Sequence, residues 1–126
     1  MIIDHIGLVV SHYENSKQFY LQALKPLDIV LLMEIDGYVG FGRKDAADPI
    51  PSFWIHQGEL LTKHSHIAFA ANSRDQVDQF YKAAILMSGK DNGRPGLRPD
   101  YHPNYYGAFV LDLDGNNIEA VCHTVS

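Results

Sequence analysis

An α+β fold of two tandem modules is the architecture that this 126-residue chain predicts, on three observations. The run DHIGLVVSHYENSKQFYLQAL from Asp4 returns without a gap as SHIAFAANSRDQVDQFYKAAI from Ser65. Each copy passes from a strand-like alternation of apolar residues into helix-like spacing. No stretch between the copies has the composition of a linker. Such a repeat sets architecture before any single element is considered. It carries Gln18, Phe19, Tyr20 and Ala23 onto Gln79, Phe80, Tyr81 and Ala84, and His5 onto His66, at a constant offset of 61 residues. The chain reads as one domain, residues 1–126, with modules of about 1–60 and 61–126.

The elements follow in order. A strand over Ile2–Val10 places Ile6, Leu8 and Val10 on one face and His5, Gly7 and Val9 on the other. The helix over Asn15–Ala23 turns Phe19 and Tyr20 inward, and Pro26 stops it, because proline cannot continue a helix and restricts the residue before it. Strands over Asp28–Ile35, Tyr38–Gly42 and Ser52–His56 follow, with turns at Asp36-Gly37 and across Arg43–Pro51. This unit reads βαβββ. The second opens with a strand over His64–Ala71 and a helix over Arg74–Met87 capped by Asn72 or Ser73. Gly89–Tyr106, dense in glycine, proline and polar aromatics, reads as a long loop of the kind that is either functional or disordered. Strands over Gly107–Leu113 and Asn117–His123, joined at Asp114-Gly115, close the chain.

Composition narrows the function. A net charge of −5 argues against general attraction to nucleic-acid phosphates. The residues are 46% hydrophobic, yet no apolar run approaches the roughly 20 needed to span a bilayer. The single cysteine, Cys122, excludes an internal disulfide and fits a reducing compartment, and MIIDHIG lacks the features of a secretory signal. The expectation is a cytoplasmic protein that binds a small molecule, without nucleic-acid or membrane partners.

Three residues break the apolar pattern of their strands in the same sense: His5, His66 and Glu119. A carboxylate in mid-strand is costly to bury unless it is paired or bound to a metal. Two imidazoles and a carboxylate suit a divalent first-row ion with positions left open for substrate oxygens. In the first module the counterpart of Glu119 falls at Trp54, with His56 two residues on, so His56 either completes the shell or leaves the position to water and substrate. Trp54 is itself a candidate substrate contact, and the RPGLRPDYHPNYYG segment adds Arg98, Tyr105 and Tyr106 to that set and Tyr101 and His102, with Glu119, as candidate acids or bases. His123 reads as a rim residue and Cys122 as a buried apolar one.

The runs DHIGLVV with SKQFY, HIAF with VDQFY, and the closing DLDGNNIEAV resemble, in order and spacing, the vicinal oxygen chelate superfamily, the group of glyoxalases, bleomycin-resistance proteins and extradiol dioxygenases. The resemblance covers nearly the whole chain. It implies a glyoxalase-like fold of paired βαβββ modules forming a U-shaped, partly open barrel cleft. A divalent zinc, nickel, manganese or iron ion is implied there, with ligands at the positions of His5, His66 and Glu119. Trp54 or His56 stands where glyoxalase I has a further ligand. The function implied is a metal-dependent lyase, isomerase or dioxygenase acting on adjacent substrate oxygens, or, as an alternative, a bleomycin-resistance-type protein that sequesters a ligand without chemistry. A homodimer is implied too, its cleft made within one chain or between two.

Overall fold

The computed structural model describes residues 3–47, 49–60 and 64–126. Two mixed four-stranded sheets carry two helices in the order β1 (Ile6–Val10), α1 (Tyr13–Leu24), β2 (Ile29–Ile35), β3 (Tyr38–Arg43), β4 (Phe53–Gln57), β5 (His66–Ala70), α2 (Arg74–Leu86), β6 (Lys90–Leu97), β7 (Tyr106–Leu111) and β8 (Asn117–Cys122). The sheets have the same order, β1-β4-β3-β2 and β5-β8-β7-β6, each with one parallel pair, β1 with β4 and β5 with β8. The architecture is two tandem βαβββ modules with open sheets, as the duplication predicts.

The Gly89–Tyr106 loop needs correction, because its first half is strand β6. Its KDNGRPGL sequence lacks β-branched and aromatic residues, which hides it from pattern reading. Pairing with β7 shifts register between Asp91 and Gly93 and again between Gly93 and Gly96, so Pro95 falls in an irregularity of an edge strand, where its missing N–H breaks no ladder bond. Gly93, at φ 151°, takes a conformation that side chains rarely adopt.

The other expected elements differ mainly at their ends. Strand β1 begins at Ile6, and the expected start at Ile2 lies outside the described residues. Helix α1 begins at Tyr13, two residues before Asn15. The Gln57 Oε1 atom at the end of β4 accepts the Tyr13 N–H at 2.7 Å, satisfying one of the orphan donors of a helix start. Ser73 caps α2 by accepting the Gln76 N–H at 3.1 Å. Asp36 and Gly37 both have positive φ, the conformation of a type I′ hairpin turn.

Both helices and the inward faces of both sheets share one core. Leu8 and Val10, Val39 and Phe41, Phe53 and Ile55 come from the first sheet; Ile67, Ala108, Val110, Ile118, Ala120 and Cys122 come from the second. An aromatic edge bridges the modules, with Phe53 5.2 Å from Phe69 between ring centres, and Tyr20 of the first module packs on Phe53 at 5.1 Å. Beneath the β7–β8 turn, the buried Asp112 carboxylate accepts the Tyr20 hydroxyl at 2.5 Å. It also accepts the backbone N–H of Asp114 at 3.0 Å and of Asn116 at 2.8 Å, and the Asn116 amide at 2.9 Å. A helix of one module is thus fastened to a turn of the other.

Burial, followed by the adjacent Asp112 charge, holds the Tyr20 hydroxyl well above the usual tyrosine value of 10.0. A group whose proton is bound more tightly in the folded state contributes fully below its unfolded value and loses that contribution as pH rises through the folded one. Stability should therefore fall above pH 10, by up to about 1.4 kcal/mol per pH unit from this group. Denaturant melts from pH 8 to 11 should show a shallower fall in Tyr20→Phe than in the parent. Equal slopes would remove Tyr20 from the account.

Candidate functional site

Alternation along each strand turns one set of side chains away from the core. On the second sheet that outward set includes His66 and Ala68 on β5, Glu119 on β8 and Phe109 on β7, where Ala68 and Phe109 flank Glu119 in the registers of the two neighbouring strands. Glu119 is only 1% exposed despite facing away from the core. Its neighbours account for this. His66 Nε2 lies 3.2 Å from Oε1, and the Tyr105 hydroxyl donates to Oε2. Gly107 leaves the space, since a Cβ there would stand 3.3 Å from Oε2. Burial, then the hydrogen bond to Glu119, pushes the Tyr105 hydroxyl well above the usual tyrosine range and keeps it a donor.

The imidazole of His66 has a defined polarity. Its Nδ1 is 3.0 Å from the Asn117 carbonyl oxygen, which can only accept, so Nδ1 carries a proton. A neutral His66 then turns the lone pair of Nε2 toward the Glu119 carboxylate. Two acceptors 3.2 Å apart require a proton or a cation between them. Two ligands each about 2.1 Å from one ion stand roughly 3.0–3.4 Å apart at right-angled to tetrahedral geometry. Asn117, two residues before Glu119 on the same face, has a buried Oδ1 with no hydrogen-bond partner among the described residues. The facing pair of His66 Nε2 and Glu119 Oε1, two acceptors with no proton of their own to share, suits a divalent cation.

The remaining candidates divide between two places. Above Glu119, the Tyr105 ring meets Tyr101, His102 and His123 edge-on, with centres 4.9, 5.5 and 5.3 Å away. His102 Nε2 contacts His123 Nδ1 directly, so His123, exposed at the rim, is also part of this cluster. The signal for this lay in its parity with Glu119 along β8, though it sits one residue beyond the strand end. The Arg98 guanidinium lies 5.4 Å from the centre of the Phe109 ring, another neighbour that sequence reading missed. Tyr106 is turned the other way: its hydroxyl donates to Asp78 of α2 at 2.7 Å and Arg74 covers its ring, so it does not face Glu119.

Trp54 and His56 belong to the first sheet, and His5 leads into it. Paired registers place Trp54 beside Gly7 as they place Glu119 beside Ala68, so Trp54 is the structural counterpart of Glu119. Its ring covers Gly40, where a Cβ would stand 2.9 Å from Cη2. His56 stacks on Tyr38 at 4.8 Å. His5, just ahead of β1, is exposed and bonded through Nδ1 to Asp4 at 2.7 Å. Among the described residues of one chain, no three His, Cys, Asp or Glu side chains are grouped to hold a metal. His66 and Glu119 meet; His5 and His56 do not join them.

A cavity of about 560 Å³ opens beside this face, between the edge strands β1 and β5. Ile6, Phe53, Ile67 and Phe69 form its apolar wall, with Asp4, Arg43, Ser52 and His66 among its polar lining. Among the described residues no helix is long and apolar enough to cross a membrane.

A sequence profile of the Glyoxalase/Bleomycin resistance protein/Dioxygenase superfamily matches residues 2–120. Among solved structures, a glyoxalase/bleomycin resistance protein from Albidiferax ferrireducens T118 is similar at TM-score 0.79 and 27% identity, with 98% of this chain and 100% of that one covered. A glyoxalase I mutant from Zea mays superposes at TM-score 0.72 and 23% identity over 96% of this chain, which spans 46% of the maize chain. The fosfomycin resistance protein FosX from Listeria monocytogenes does so at TM-score 0.71 and 16% identity, covering 99% and 95% of the two chains. A comparison with curated protein sequences returns no match.

Proposed function

Since the chain belongs to the Glyoxalase/Bleomycin resistance protein/Dioxygenase superfamily, we propose that it is a divalent-metal-dependent enzyme acting on a small substrate with adjacent oxygen atoms. His66 and Glu119 supply two ligands and His5 the third. The observation that carries this reading is the facing of His66 Nε2 and Glu119 Oε1 at 3.2 Å, with the His66 proton committed to the Asn117 carbonyl. A bound zinc, nickel, manganese or iron ion would supply Lewis acidity toward the substrate oxygens. The polypeptide's own contribution is to bury the carboxylate, fix the imidazole and wall the site with Phe109 and Tyr105. Lyase, isomerase and dioxygenase chemistry all fit this arrangement.

His5 points to a homodimer. It stands just ahead of β1 and does not join His66 and Glu119 within one chain. A second copy supplying His5 would complete the triad, and symmetric pairing would form two such sites. The outward face of the first sheet offers a docking surface, with Met33, Ile35 and Tyr38 all more than two-fifths exposed.

Metal content of protein purified without chelator or affinity-tag metal tests the reading. The expected result is about one divalent ion per chain in the parent and none in the His5→Ala, Glu119→Gln double variant. A parent that stays empty after reconstitution with each of the four metals favours ligand sequestration of the bleomycin-resistance type.

A further inference from the structure

We propose that Tyr105 is a positioning residue that anchors one oxygen of Glu119, so that the carboxylate offers a single oxygen beside His66, and that His102 and His123 clasp Tyr105 in place. This deepens the metal reading above and rests on it.

The two oxygens of Glu119 have separate partners. Oε2 accepts the Tyr105 hydroxyl, and Oε1 faces His66 Nε2 at 3.2 Å. A carboxylate held in this way is set as a one-oxygen ligand, whereas a free one can rotate to offer both.

Tyr105 is itself held from several sides. Its carbonyl accepts the Arg98 N–H at 2.7 Å, and its N–H donates to the His102 carbonyl at 3.1 Å. The Asn104 N–H donates to His102 Nδ1 at 3.1 Å, which leaves the proton of a neutral His102 on Nε2. That proton is donated to His123 Nδ1. His123 follows β8 directly, so the clasp and the carboxylate are fixed to one strand. The segment touches β8 through Tyr105 on Glu119 and the residue after the strand through His102 on His123.

One-oxygen ligation favours ions that accept few, short bonds over those that tolerate higher coordination numbers. Loss of the anchor should therefore weaken binding and blunt the preference for zinc over manganese. Tyr105→Phe removes the hydroxyl and keeps the ring. His123→Ala removes the clasp without touching Glu119.

The test is titration of purified, metal-free protein with Zn²⁺ and with Mn²⁺ against a chromophoric chelator, alongside circular dichroism of each variant. Tyr105→Phe should keep the parent's spectrum, bind Zn²⁺ about 10–100-fold more weakly, and show a smaller ratio of Zn²⁺ to Mn²⁺ affinity. His123→Ala should change both in the same direction, and should add little to Tyr105→Phe, as residues acting through one path do. A folded Tyr105→Phe with the parent's Zn²⁺ affinity and ion ratio overturns the positioning role and leaves the metal reading standing. Full additivity of the two variants overturns the clasp. A parent that binds neither ion overturns the metal reading and this proposal together.

Discussion

A His5→Ala chain and a Glu119→Gln chain, each empty of metal alone, should recover about one ion per mixed pair when they are co-expressed and isolated through different tags. The mixed pair has one site that joins intact His66 and Glu119 from the first chain to intact His5 from the second. Its other site keeps His66 but lacks both His5 and Glu119. The expected recovery is from nothing to one ion for two chains, half the content of the parent. Elemental analysis of the mixed pair reads it directly. A mixed pair as empty as its components, beside a parent that binds metal, would place the third ligand in the same chain as the other two. The grounds for the expectation are physical: His66 and Glu119 face each other at 3.2 Å, while His5 is exposed and bonded to Asp4.

Asp112→Ala should destabilise the protein by about 3–5 kcal/mol, the loss expected when a buried, multiply bonded charge is removed and its donors are left unpaired. Asp112 is 6% exposed and accepts four hydrogen bonds, from Tyr20, Asp114 and twice from Asn116. Alanine leaves the Tyr20 hydroxyl buried without an acceptor and frees the β7–β8 turn beside the strand that carries Glu119. In thermal melts the loss corresponds to at least about 10 °C for a domain of this size. Tyr20→Phe, which removes one donor and strands only one acceptor with three other bonds, should cost about 1 kcal/mol. A loss of less than 1 kcal/mol in Asp112→Ala would mean that the Tyr20–Asp112 bond contributes little to holding the two modules together.

The duplication made the architecture readable because identical spacing forces identical topology, and the parity of His66 and Glu119 along their strands put them on one face. The alignment of Trp54 with Glu119 was legible for the same reason, since strand registers follow the repeat. Strand β6 was not legible. Its glycines and proline mark breaks by every local rule, and only its pairing with β7 makes it a strand. The early start of α1 was hidden too, because its first donor is satisfied by Gln57, a residue 44 positions away in sequence. Likewise nothing local distinguishes Tyr105 from Tyr106. One residue of alternation sends the first to Glu119 and the second to Asp78.

The irregularity of β6 also bears on how the molecule keeps apart from its neighbours in a crowded solution. An edge strand with a regular row of free N–H and C=O groups invites a strand from another chain, the first step toward aggregation. At β6 the invitation is withdrawn. Register slips at Gly93 and Gly96 interrupt the row, Pro95 deletes a donor, and Lys90, Asp91 and Arg94 add charge. The corresponding edge of the other sheet, β2, has the sequence IVLLMEI with Glu34 as its single charge. Its defences are one bulge between Leu31 and Met33 and the Glu34 carboxylate, which Lys17 and Tyr13 bind. These two edges are therefore unequal in their tendency to recruit foreign strands, and of the pair β2 is the one from which unwanted sheet growth would begin.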